Sequence, residues 1–372
     1  MRMILAGAAV LMAGLGLWAF PVHGAEGDAV VYHGRIIMIV KETQEDRTGS
    51  GFLQTIQTLE VQISQGPLDG QNVQVENDVS PLKAGDQVNL VFSTDEAGQP
   101  LIHSVGFVGV YRLPTLGWLA VLFVFLVVIF GGWQGIRGLA SLAGSLALIV
   151  FALLPGLLHG LSPIGLSIGV SALIIILGSY ITHGFNRTTT AAVLGMIVTV
   201  ALVGTFALYA VHAARLSGME SEETIYLQLS NNLNLVGLLL GGILIGLLGI
   251  LYDIAIGQAI AVEELRRASP EMPAGQLYRR AARIGREHIG ALVNTLAIAY
   301  VGASLPLLLL FYSGQSTAAQ TLNNEIFSTE IVRTLVGSIG LVIAAPIATA
   351  VAVAMLKNTL FITGAGAHGH HH

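Results

Sequence analysis

The sequence predicts a polytopic α-helical membrane protein with a small all-β domain ahead of its helices. Three observations predict it. The chain is 53% hydrophobic and 10% charged, and its apolar residues form long runs separated by short loops between residues 112 and 357. Basic residues in that region fall almost entirely in every second loop. Residues 26–112 follow neither pattern, showing period-two alternation and most of the acidic residues. Soluble domains do not usually combine such apolarity with so little charge.

Residues 1–25 run from Met1-Arg2-Met3 through an apolar stretch to Phe20 and end at Pro21-Val22-His23-Gly24-Ala25. This is the layout of a secretory signal peptide, and an N-terminal transmembrane helix is the alternative. Either delivers residues 26–112 to the extracytoplasmic side. There, Val30–Val40, Phe52–Ile63, Val73–Val75, Gln87–Phe92 and Leu101–Val110 read as strands. Turn signals part them, among them Gly66-Pro67-Leu68-Asp69-Gly70 and Gly85-Asp86. Five short strands predict a partly open barrel of the oligonucleotide/oligosaccharide-binding (OB-like) type or similar. The domain has few aromatics and no basic stripe, so nucleic acid is not an expected partner. A structural cap that docks a protein partner is expected instead. The chain has no cysteine, which excludes disulfides and thiolate chemistry.

Residues 113–357 form the helical domain, with seven expected spans at 114–132, 138–157, 162–182, 188–212, 233–262, 288–312 and 330–356. Each is near the ~20 residues that cross a ~30 Å hydrocarbon core. Arg137, Arg187, the run from Arg266 to Arg286, and Lys357 mark one set of loops. Glu220, Glu222, Glu223 and Glu325 mark the other, and only Arg215 breaks the rule. The charge bias places the carboxyl end in the cytoplasm of a multi-pass cell-membrane protein. The loop 265–287 combines arginines with Leu277, Tyr278, Ala281, Ala282 and Ile284, which reads as an amphipathic helix on anionic lipid. Residues 358–372 are a tail ending in His368, His370, His371 and His372, a weak metal-binding pattern or an added tag that makes no site in the membrane.

The polar residues inside the spans carry the functional reading. Ser162, Ser167 and Ser171 suit close helix packing. His183, in the turn Thr182–Thr188, reads as an interfacial histidine before a ligand or proton carrier. Asp253 is the informative residue. It lies ten residues before Glu263, about 15 Å along a helix, and so near the midplane if Glu263 marks the inner water boundary. Gly242, Gly246, Gly249, Asp253 and Gly257 fall on one helical stripe. Such a stripe packs against a neighbouring helix and should turn Asp253 into protein. A carboxyl there is charged at a cost of several kcal/mol or else takes up a proton. His288, Asn294 and Thr295 of the next span, with Glu263, are its expected ion-coupling network, although Asn294 and Thr295 could equally bond a neighbouring helix. Glu330 and Arg333, three apart, read as an exposed interfacial ion pair or, more sharply, as a candidate outer gate, and Gly337 and Gly340 form a second packing face.

The chain resembles the YibE/F-like family of bacterial membrane proteins over roughly residues 30–356. The resemblance is carried by Thr182-His183-Gly184-Phe185-Asn186-Arg187, Asp253 to Glu263 with Gln258, Arg286 to Thr295, Val301-Gly302-Ala303-Ser304-Leu305-Pro306 and Glu330 to Gly340. It implies a bacterial inner membrane location and adds no substrate. A partial resemblance of residues 240–350 to SecF and the resistance-nodulation-division transporters implies a proton-carrying aspartate with a basic partner in the next helix. Here Ala291 stands where that pattern has arginine, leaving His288 as the nearest basic group.

These residues lead to an expected secondary transporter or permease, proton- or ion-coupled through Asp253. The alternative is a non-transporting scaffold or sensor whose external domain binds a partner. An enzyme is not expected, because no His-Glu-x-x-His, nucleophile elbow or phosphate-binding loop is present. No cofactor or metal is expected. A homo-oligomer fits the glycine-rich faces as well as intramolecular packing does.

Overall fold

The computed structural model describes residues 29–46, 51, 53–95, 98–231, 233–314 and 317–357. The expected leader at 1–25 and the histidine tail at 358–372 lie outside them. The chain divides into two compact units at Phe125–Leu126.

The first unit holds one antiparallel sheet of β1 (Ala29–Glu45), β2 (Gln54–Ile63), β3 (Asn72–Asn77), β4 (Gln87–Thr94) and β5 (Pro100–Val110), in the order β3-β2-β1-β4-β5. β1 is long enough to pair with β2 and β4 at once, and its register shifts near Met38 and Ile39 bend it. The sheet therefore curls into a half-barrel. Alternate residues such as Ile36, Leu59, Val61, Val75, Leu90 and Phe92 fill its concave side. Gln57 is buried there. Its Oε1 accepts from the Leu82 amide at 2.7 Å and from Asn77 Nδ2 at 3.2 Å, and its Nε2 donates to Glu42 at 2.8 Å.

The second unit is helical. Its elements are α1 (Leu113–Leu148, entering from the first unit), a π-helical turn Ile149–Leu153, α2 (Leu154–Leu158), α3 (Pro163–His183), α4 (Arg187–Ala213) and α5 (Glu222–Asn231). They continue as α6 (Leu235–Ala268), α7 (Ala274–Ala303), α8 (Leu305–Tyr312), α9 (Ala318–Leu322) and α10 (Glu325–Leu356). Among the described residues five helices are long and apolar enough to cross a membrane, or six if the α7–α8 pair counts as one span.

The expected number was seven, and the difference lies in Leu113–Leu158. This 46-residue stretch counts as one candidate, yet would be about 69 Å long if straight. It is not straight. Gly132 adopts φ 54°, ψ −138°, and a Cβ on Gly135 would collide with the carbonyl oxygen of Val127, eight residues earlier. The chain reverses there, so the first two expected spans are the arms of one interrupted stretch.

The basic loop also differs from expectation. Residues 274–287 are the first turns of α7, which runs unbroken to Ala303. Their apolar side, Leu277 and Ala281, is buried in a protein core with Val262, Met272 and Leu356. The short turn Ser269–Pro273 folds α7 back along α6, so protein covers the face that the sequence assigned to lipid. The bend of 64° after Ala303 comes where Pro306 opens α8, since proline disfavours helix for the residue before it. The core of the bundle is α4, α6 and α10, joined by large apolar side chains such as Ile243, Leu247, Leu251, Val203 and Leu341.

Candidate functional site

Polar contacts define two ends of the bundle. At the basic end Arg137 donates to the carbonyl of Ile181 at 2.7 Å and Gln134 to that of Thr182 at 2.9 Å, closing the carboxyl end of α3. Thr188 donates to Glu263 at 2.5 Å, and Glu263 also pairs with Arg267 at 2.5 Å. Glu263 thus joins α4 to α6 at this end, consistent with a boundary position. Arg266 donates to the carbonyls of Met272 and Lys357. His183 faces the Tyr252 ring at 6.0 Å.

At the acidic end Arg333 binds Glu330 on its own helix and Glu220 of the loop after α4, the latter at 3.1 Å. The candidate gate pair is therefore present and has a third member. Glu325 secures the same loop, its Oε1 accepting from Ser217 N at 2.6 Å, Ser217 Oγ at 2.7 Å and Gly218 N at 3.1 Å. Neither role of this loop was readable from its sequence.

Asp253 lies between these ends on unbroken α6. It is solvent-exposed in the isolated chain, as are Gly242, Gly246, Gly249 and Gly257. A Cβ on any of these four glycines would meet open space. The stripe is real, but among the described residues no helix packs on it, contrary to expectation. Packed glycines lie elsewhere, among them Gly241, pressed by Ser167, Gly337 by Leu247 and Leu296, and Gly340 by Val203. The rotation of α6 is set by its bulky side chains, with Leu240, Ile243, Leu247, Leu251 and Ile254 buried on the opposite side.

One flank of Asp253 opens into a cavity of about 400 Å³ between α1, α3 and α6. Ser141, Ser145, Thr182 and Tyr252 contribute its polar lining. The Tyr252 hydroxyl is buried beside the hydroxyls of Ser179 and Thr182. His288 of α7 lies within Coulombic reach of Asp253. Asn294 and Thr295 are not brought to it. Both are exposed further along α7, and Thr295 bonds the Ala291 carbonyl of its own helix at 3.0 Å. A buried pin missed from the sequence ties three helices near the basic end. Thr349 of α10 donates to Gln258 at 2.7 Å, and the Gln258 amide lies against Gly285 of α7.

The profile of the YibE/F-like proteins matches residues 119–358, more than half of the chain. The chain belongs to the YibE/F-like family. No curated protein and no solved structure matches it, so the likeness to SecF and the resistance-nodulation-division transporters is not shown. In this YibE/F-like protein the matched region contains Asp253, both charged ends and the cavity, and leaves out the β-sheet.

Proposed function

We propose that this YibE/F-like protein is a secondary transporter or permease in which Asp253 binds the coupling ion and His288 is its partner. The observation that carries the reading is the hydroxyl-lined cavity that reaches the Asp253 carboxyl from one side. Carboxyls inside membrane spans are costly, and they characteristically line ion or substrate paths. The positive-inside rule supports reading the basic end as cytoplasmic and the β-sheet as external, and membership of the YibE/F-like family supports a bacterial inner membrane.

In proteoliposomes, Asp253→Asn should lower gradient-driven flux at least about tenfold, the size expected when an essential titrating group is lost. Asp253→Glu should retain part of it. Elution profile and thermal stability should stay within the wild-type range. Wild-type flux through Asp253→Asn would refute the reading. A scaffold or sensor is favoured by one separate feature, that the β-sheet belongs to its own compact unit. Capture of a partner by the sheet, with no flux of any ion, would support that alternative.

A further inference from the structure

A second cavity, of about 250 Å³, lies at the acidic end of the bundle. Leu153, Leu157, Ser167, Leu238, Gly241 and Ile245 form much of its wall, and Glu220 and Arg333 lie at its edge. It uses the same three parts of the bundle as the Asp253 cavity, namely the α1–α2 arm, α3 and α6. On α6 the outer cavity reaches Ile245 and the inner one begins at Leu248. Three residues of helix, about 4.5 Å, separate them.

That interval is filled by an apolar cluster in which Leu148, Ile149 and Ala152 meet Val170, Ile174 and Ile245. The α1–α2 arm is π-helical here, over Ile149–Leu153. Such turns are uncommon and recur at functional sites. A polar stripe crosses the same level on α3. Ser167, Ser171, Gly178 and Thr182 are four, seven and four residues apart, hence on one face. Ser167 and Thr182 line the outer and inner cavities. Ser171, between them, is buried, and its hydroxyl has no hydrogen-bond partner. A buried orphan hydroxyl costs about 1–3 kcal/mol.

The charges agree in sign. Asp253 is the one acid lining the inner cavity. At the outer one, Glu220 and Arg333 are in the lining, and Arg333 also pairs with Glu330 just outside it, so two acids and one base stand beside that cavity. We infer that the two cavities are the halves of a single permeation route for a small cation, closed by the Ile149–Val170–Ile245 septum. The inference rests on the ion-binding role of Asp253 and adds the path, the barrier and the sign of the cargo.

The chain has no cysteine, so single cysteines can be introduced into the full-length protein directly. Ser145→Cys, Leu238→Cys and Ser171→Cys would be treated in oriented vesicles with a trimethylammonium or a sulfonate methanethiosulfonate. Ser145→Cys should react only from the basic side and Leu238→Cys only from the acidic side. Each should prefer the cationic reagent by about tenfold, as a cleft of one charge sign enriches counter-ions. Ser171→Cys should be silent until Ile245→Ser opens the septum. Ile149→Ser serves the same purpose if that variant does not fold.

Equal rates for the two reagents, labelling of one site from both sides, or silence of Ser171→Cys in both opened variants would overturn the route. Labelling needs no turnover, so it is independent of the flux measurement. If the pattern holds while Asp253→Asn transports normally, the path stands and the coupling role falls. Proteoliposomes with a sodium gradient at constant pH, or a pH gradient without sodium, identify the ion by which gradient the opened variant collapses. Collapse of neither, with chloride leaking instead, would overturn the cation assignment.

Discussion

Gly218 and Gly246 show how differently one residue type is used in this chain. Gly218 has φ +79°, and a Cβ there would lie 2.6 Å from the Leu235 carbonyl oxygen. Gly246 sits in regular helix with nothing within reach. Gly218→Ala should therefore destabilise the protein by about 1–3 kcal/mol, through strain and a backbone clash. Gly246→Ala should be neutral or stabilise by up to about 1 kcal/mol, since alanine is the better helix former. Thermal unfolding in detergent would compare the two directly. A Gly246→Ala loss as large as that of Gly218→Ala would mean that the stripe is packed after all. Sequence spacing alone could not separate these cases, because Gly241 and Gly242 are neighbours in a run that is apolar all round. The burial of Leu240, Leu247 and Leu251 decides which of them faces protein.

At the level of elements, helix ends are fixed by caps that the sequence does announce. Ser162, Asn186 and Asn234 accept from the backbone amides three residues on, and begin α3, α4 and α6 within two residues of the expected starts. Long-range clamps are not announced in this way. Glu325 is 108 residues from Ser217, and no periodicity relates them. Glu325→Ala would leave the Ser217 and Gly218 amides without their charged acceptor, which costs about 1–3 kcal/mol. Hydrogen exchange at these two amides should accelerate at least tenfold, while amides in the middle of α10 stay protected. Unchanged exchange at Ser217 would show that the loop is held by other contacts. The amphipathic turn of α7 teaches a related lesson. Its pattern of Leu277 and Ala281 against arginines is equally suited to lipid and to protein, and only the fold-back after Ala268 selects protein.

On the scale of the whole molecule, the charged ends make orientation testable. Ser269→Cys, in the turn between α6 and α7, should be labelled by an impermeant maleimide in inverted vesicles only. Thr317→Cys, ahead of α9, should be labelled in right-side-out vesicles only. The reverse pattern would invert the topology and exchange the inner and outer cavities.

The sequence by itself determined the membrane class, the five strands and the approximate place of α3, α4, α6 and α10, but not the interruption within Leu113–Leu158 or the start of α7. Those features depend on local quantities: apolar length against bilayer thickness, period-two alternation and capping side chains. It also singled out Asp253, because an acid within a long apolar run is conspicuous without any coordinates. Tertiary structure alone decided what Asp253 faces, that Arg333 has a second acid in Glu220, and that two cavities meet across one apolar layer. The physical reason is that a helix which is apolar on every side carries almost no signal of its rotation. Rotation is settled by how bulky side chains on distant segments interlock, and the polar path is what that interlocking leaves open.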